Sequence, residues 1–247
     1  MKYAIQWVRS VIFIVQMYIA MGIVGIFWGP FAFFSIRAAY SGIHAYCKWV
    51  MWSASWMVGL KSEIRGKIPS GEVLLAPKHQ SFFDIIMIAS AVPEPKFIMK
   101  ASLVYAPVLG QFGKRIGCVP VDRGRKAEAV HQMVEGVLRE DAPKGQLIIF
   151  PQGTRVAPGA RRNFKIGIFV LHQETGQTVI PAATNVGVFW PRAGIFRKPG
   201  LAVVEFLEPM EHGLVKAEFM KTLETTIETR SNALMKEAGF DVIQHRK

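Results

Sequence analysis

The 247-residue sequence predicts an α/β fold, a largely parallel mixed sheet flanked by helices, with an N-terminal hydrophobic helical hairpin in front of it. Two observations predict it. Over residues 61–247, short apolar runs of strand length alternate with segments of helical periodicity, the pattern of strands joined by helical crossovers. Residues 1–60 are far more apolar than the rest, although the chain average of 51% apolar is near the ordinary soluble value. The length suits one domain, 61–247, plus a membrane-associated appendage, 1–60.

The N-terminal part reads as two helices. From Val11 to Trp28 there is no charge, and Gln16 is the only clearly polar side chain. Such a run makes about 27 Å of helix, marginal for the ~30 Å hydrocarbon core of a bilayer. Gly29-Pro30 is expected to break it. A second apolar segment, Phe31 to Leu60, carries Trp49, Trp52 and Trp56, which suits a helix at a membrane interface. There is no convincing small-residue cleavage site of a signal peptide. Lys2 and Arg9 precede the first run, and Arg37, Lys48, Lys61, Arg65 and Lys67 follow it. Positive charge on both sides favours a re-entrant or interfacial hairpin, both ends cytoplasmic, over a single span. A hairpin buried in a soluble protein is the remaining alternative.

Candidate strands follow at Glu63–Arg65, Val73–Ala76, Phe97–Met99, Cys118–Val121, Gln146–Phe150, Val179–Ala183 and Leu201–Leu207. Helical patterns fall at Ile85–Ala91, across Val130, Met133, Val134, Val137 and Leu138, at Phe164–Gln173 and at Lys216–Ala238, with Gly239 as a C-terminal cap. No internal repeat or low-complexity tract is present.

The chemistry-bearing stretch is Lys78-His79-Gln80-Ser81-Phe82-Phe83-Asp84, at a strand-to-helix junction. On one continuous helix, residues five apart point about 140° away from each other. His79 and Asp84 meet only if His79 is in the loop and Asp84 in the first helical turn. An imidazole so placed can take a proton from a hydroxyl near neutral pH, and a carboxylate on its other nitrogen fixes the tautomer. The bland reading is a loop histidine and a helix cap. A second stretch, Phe150-Pro151-Gln152-Gly153-Thr154-Arg155, ends another apolar run. Gly153 permits a tight turn whose N–H groups can face an anion, Thr154 adds a hydroxyl, and Arg155 can hold two phosphate oxygens. Cys47 and Cys118 lie in apolar surroundings and form no metal-ligand pattern, so no metal is expected.

Formal charge is +12, clustered at Lys114-Arg115, Arg123-Gly124-Arg125-Lys126, Arg161-Arg162 and Arg197-Lys198. A solvated face is the default for such clusters. Beside so apolar an N-terminus, an anionic phospholipid surface fits them better than nucleic acid, for which no binding-module signature is present.

Together the two stretches resemble the glycerolipid acyltransferase family, most of all its bacterial 1-acylglycerol-3-phosphate (lysophosphatidic acid) acyltransferases. The family's His and Asp separated by four residues match His79 and Asp84. Its F-P-E-G-T-R block matches Phe150 to Arg155, with Gln152 in place of Glu. Two further blocks match Gly117 to Arg123 and Val179 to Ala182. The resemblance covers roughly Lys61 to Leu207. It implies that His79 and Asp84 are catalytic. It also implies that Arg123, Gly153, Thr154, Arg155 and Lys100 hold the acceptor phosphate, while Pro151 and Gln152 shape the loop. Lys165 is a weaker candidate.

The implied reaction is direct acyl transfer from acyl-CoA or acyl carrier protein to the 2-hydroxyl of 1-acylglycerol 3-phosphate, giving phosphatidic acid. It needs no cofactor beyond the donor, and a backbone N–H near Gly153 is the candidate oxyanion donor. The partners are membrane lipid and, as one of the two donors, acyl carrier protein. The expected location is the cytoplasmic face of the inner membrane. Three alternatives stay open: another acceptor such as glycerol 3-phosphate or a lyso-ornithine lipid, a non-catalytic lipid-binding protein, and a hydrolase using Ser81, which lacks a G-x-S-x-G elbow. Glutamine cannot act as acid or base near neutral pH, so Gln152 is expected only to hydrogen-bond. On that reading Gln152→Glu changes activity by less than about tenfold, or ~1.4 kcal/mol.

Overall fold

The computed structural model describes residues 1–122 and 126–242, Lys126 and Ala127 by their backbone alone. All seven expected strands form one sheet. They are β1 (Leu60–Arg65), β2 (Val73–Pro77), β3 (Pro95–Lys100), β4 (Val119–Val121), β5 (Gln146–Ile148), β6 (Val179–Thr184) and β7 (Gly200–Phe206). Their order across the sheet is β1-β7-β6-β2-β5-β3-β4. Every neighbouring pair is parallel except β6 and β7. Strand β2 lies between β5 and β6 and has helices on both faces. Its sequence is therefore a continuous apolar run rather than an alternating one.

The helices are α1 (Lys2–Phe34), α2 (Ile36–Met57), α3 (Phe83–Ala91), α4 (Pro107–Arg115), α5 (Lys126–Leu138), α6 (Gly167–Thr175) and α7 (Lys216–Glu237). Successive strand side chains point to opposite faces. Leu75 accordingly joins a core with α2 and α3, including Val50, Ala54, Phe83 and Met87, whereas Leu74 joins one with α5, α6 and α7, including Met133, Leu171, Phe219 and Leu223. Gly239 ends α7 as expected. It adopts φ +75°, and the Phe240 N–H reaches back to the Met235 carbonyl at 3.0 Å.

Three features differ from the sequence expectation. The first helix does not break at Gly29-Pro30 but runs through Pro30 to Phe34. So near the helix end, Pro30 removes a single hydrogen bond, to the Ile26 carbonyl. The turn is made by Ser35, extended at φ −135° and ψ 123°, whose Oγ accepts the Ala38 N–H. Helix α4 and the 3-10 turn Ala101–Tyr105 were not expected. Arg197 is buried rather than part of a surface basic patch. Its guanidinium lies 4.2 Å over Trp190 and donates to the carbonyls of Gly194 and Ile195, and burial pushes it down to about 10.

The hairpin lies against the α/β domain along its length. Tyr3 stacks on Phe196 and Phe13 meets Trp190 edge-on. Gln6 donates to the carbonyls of Val58 and Arg197, and Ser10 Oγ accepts the Arg197 N–H. Between the two helices, Gln16 donates to Ser53 Oγ and accepts from Trp49. The lone polar residue of the apolar run thus ties α1 to α2. The other side of α1, with Ile5, Val8, Ile12, Val15, Ile19 and Ile23, is exposed, as are Trp49, Trp52 and Trp56. Among the described residues α1 is the one helix long and apolar enough to cross a membrane.

Gly25 is where α1 touches α4. A Cβ there would stand 2.6 and 3.0 Å from the two γ-methyls of Val108, whose χ1 is stiff. Gly25→Leu is expected to cost about 1–3 kcal/mol of stability, read as a lower unfolding midpoint in detergent. An unchanged midpoint would mean that α1 does not pack on α4.

Candidate active site

The loop between β2 and α3 carries His79, and Asp84 lies in the first turn of α3, the arrangement that their spacing required. Asp84 is fully buried, and both of its oxygens are used. Oδ2 accepts the backbone N–H groups of Gln80 and Ser81, each at 2.7 Å, and Oδ1 lies 3.0 Å from His79 Nδ1. Two N–H donors and the positive end of α3 offset the buried charge. Because the carboxylate only accepts, Nδ1 carries the imidazole proton and Nε2 is left basic. The ring stacks on Phe150 at 3.9 Å and 21°, which fixes its plane. Ser81 is buried, and its Oγ accepts the Phe83 N–H at 3.2 Å. It is occupied at the start of α3 rather than presented as a nucleophile.

The second stretch follows β5. Gly153 adopts φ +69°, and its N–H donates to the Phe150 carbonyl at 2.9 Å. The Gly153 N–H therefore closes the turn, and an oxyanion or phosphate donor from this loop would have to be a neighbouring N–H. Lys165 lies over that turn. Its Nζ would be 2.9 Å from a Cβ on Gly153, and its N–H donates to the Pro151 carbonyl. Pro151 and Gln152 are buried. Gln152 Oε1 faces the His79 N–H at 3.4 Å, and its Nε2 donates to Glu228 of α7 at 3.2 Å. Arg155 gives one N–H to the Arg192 carbonyl, which leaves most of its donors for other partners. Arg123 lies outside the described residues, between β4 and α5.

His79, Lys100, Thr154 and Arg155 line one cavity of about 460 Å³. Its remaining wall is largely apolar: helices supply Met21 and Val24 of α1, Ile43 of α2, Ile85 of α3, and Leu109 and Phe112 of α4, and β3 supplies Phe97 to Met99. The size falls in the ordinary range for a ligand pocket. Such a site can accept a proton at His79 Nε2, hold an anion at its cationic rim and enclose a hydrocarbon chain behind. The sequence did not reveal the α4 wall. Pro107 at the first helical position followed by Val108, Leu109 and Phe112 was the available signal.

A family model described as Acyltransferase matches residues 60–185, about half of the chain. The chain belongs to the acyltransferase family. It is 28% identical over 205 residues to the 1-acyl-sn-glycerol-3-phosphate acyltransferase of Pseudomonas aeruginosa, covering 79% of this chain and 78% of the relative. It is 31% identical over 195 residues to an uncharacterized acyltransferase of Schizosaccharomyces pombe, covering 72% and 69%. The crystal structure of the 1-acyl-sn-glycerophosphate (LPA) acyltransferase PlsC from Thermotoga maritima shares the fold. Its TM-score is 0.74 at 21% identity, covering 95% of this chain and 99% of that one. The family match begins at the start of β1 and ends just past β6. It takes in His79, Asp84 and the 150–155 loop of this acyltransferase but neither the hairpin nor α7.

Asp84→Asn is expected to lower turnover by about 10²-fold. An amide cannot accept from all three N–H groups that Asp84 serves, so the ring loses its orientation. Turnover within threefold of the parent, with the protein folded, would show that Asp84 is a helix cap alone.

Proposed function

We propose that this acyltransferase moves an acyl chain from acyl-CoA or acyl carrier protein to the 2-hydroxyl of 1-acylglycerol 3-phosphate. The observation that carries the reading is the convergence of the His79–Asp84 pair and the cations Arg155 and Lys100 on one apolar cavity. The acceptor phosphate binds at Arg155, Thr154 and Lys100, joined by Arg123. The acyl chain lies in the cavity between α1, α2, α3 and α4. His79 Nε2 takes the proton of the 2-hydroxyl as its oxygen attacks the thioester carbonyl. Collapse of the tetrahedral adduct expels the thiolate, which takes the proton from the imidazolium. Asp84 stabilises that imidazolium without itself being protonated. The thioester is already activated, so the chemistry calls for no metal and no covalent acyl-enzyme.

The membrane part of the proposal rests on the exposed stripe of α1 and on Trp49, Trp52 and Trp56 of α2. So large an apolar surface needs a cover. A helix bonded to the domain from Tyr3 to Gly25 is better placed to lie in the interface than to stand across it. The hairpin then presents the cavity to the lipid surface, on the cytoplasmic face of the inner membrane, with the basic surface residues toward anionic headgroups.

Purified protein assayed against a panel of lysolipids, with both donors and mass-spectrometric product identification, tests the reaction. Phosphatidic acid is the expected product. Turnover confined to glycerol 3-phosphate or a lyso-ornithine lipid would replace the acceptor, and none with any lysolipid would reject the reading. Arg155→Ala is expected to raise KM for the acceptor roughly ten- to a hundredfold, because a charge-assisted hydrogen bond contributes about 1.5–3 kcal/mol. A defect confined to the donor would move Arg155 to the donor site. Cysteines introduced at positions 2 and 67 should both resist an impermeant thiol reagent in intact cells and react in inverted vesicles. Labelling of position 2 from outside would establish a single span.

A further inference from the structure

The polar network behind His79 has no part in the reaction as described, and its carboxylate comes from α7, outside the family match. Lys78, the residue before His79, is 1% exposed. Its ammonium makes a two-pronged contact with both carboxylate oxygens of Glu228, which lies 150 residues away. Burial pushes the lysine below its ordinary pKa, and Glu228 draws it back up. Gln152 is fully buried and donates to the same carboxylate. An amide has one donating and one accepting end. With Nε2 committed to Glu228, Oε1 must face the His79 N–H. Two more residues on the same side of α7 touch this region. Met235 Sδ accepts from Gln80, and Ser231 Oγ accepts the Thr184 N–H. Gln80 in turn accepts the Gly187 N–H. A buried polar network in which each member has its partner holds one arrangement. Removing one charge leaves the other uncompensated.

The charge count explains why glutamine stands where the resembled motif usually has glutamate. Lys78 and Glu228 already cancel. A carboxylate at position 152 would be a second buried negative charge against Glu228 and could donate to nothing. On this charge count Gln152→Glu is expected to cost more than the sequence alone suggested.

We propose that Glu228 is a positioning residue of the active site: it neutralises Lys78 and orients Gln152, and so locks the loop bearing His79 against the 150–155 loop. This inference rests on the acyl-transfer reading. Helix α7 thereby becomes part of the catalytic apparatus rather than a cover for the sheet.

Four variants of the full chain in detergent test it, by kcat, by KM for donor and acceptor, and by unfolding midpoint. Gln152→Glu and Glu228→Gln should each lower kcat by about tenfold with both KM values within about threefold of the parent, because contacting members of a network couple. The double variant Q152E/E228Q moves the carboxylate without changing the charge count, and kcat should return to within about threefold of the parent. Lys78→Met with Glu228→Leu replaces the buried pair by apolar side chains, a change that folds tolerate. Its midpoint should hold while kcat falls about tenfold, because Gln152 has lost its acceptor. Parental kcat in this last variant would make the network packing alone and overturn the proposal. So would a double variant no more active than its singles. If the parent turns over no lysolipid, the function reading fails, and the midpoints still decide the network. Each single change should lower the midpoint and the double should restore it, whereas additive losses would reject the pairing.

Discussion

The Asp84 carboxylate is the interaction on which the site depends. Three N–H groups within five residues of chain converge on its two oxygens, those of Gln80, Ser81 and the His79 ring. A buried carboxylate is costly without such donors, and the loop has few other ways to satisfy its backbone at that depth. One set of bonds therefore ends β2, starts α3, chooses the imidazole tautomer and aims the ring. The phosphate loop is built onto it. Phe150 stacks on the ring, and the Val156 N–H donates to the His79 carbonyl at 2.8 Å. The two motifs far apart in sequence are thus one structural unit.

On the proposed reading, the hairpin joins this site to the membrane through packing rather than through a tether. The inner flank of α1 places Met21 and Val24 in the cavity wall, while its outer flank is the exposed apolar stripe. The same helix therefore contributes both to substrate enclosure and, on the proposed reading, to bilayer contact.

The centre of the sheet was legible because β2, β5 and β6 are buried on both faces, which makes them short, largely apolar runs between turn residues. The His79–Asp84 pairing was legible because the interval in sequence admits one geometry. What escaped had physical reasons. Helix α4 is only nine residues long and contains Gly110 and Gly113, both poor helix formers, so no run of helical length stood out; Gly110 is there because the Val104 carbonyl would lie 2.2 Å from a Cβ. The continuation of α1 through Pro30 was missed because a proline near a helix end costs one bond, and Ser35 supplies the better cap. Which N–H of the 150–155 loop closes the turn was not legible, because a loop able to present N–H groups to an anion can equally bond its own carbonyl, as Gly153 does. Glu228 carries no local signal at all. It looks like any acidic residue on the polar side of a helix until the fold sets it against Lys78.

The central claim is that His79 offers a basic Nε2 while Asp84 holds Nδ1–H. The most direct test is ¹⁵N NMR of the imidazole nitrogens at neutral pH in histidine-labelled protein, with His79 assigned among the six histidines by the loss of its signal in His79→Gln. The account predicts that the neutral form of the ring carries its proton on Nδ1 and leaves Nε2 unprotonated. A ring carrying its proton on Nε2 would contradict it, since the nitrogen facing the cavity would then have no lone pair with which to take the hydroxyl proton.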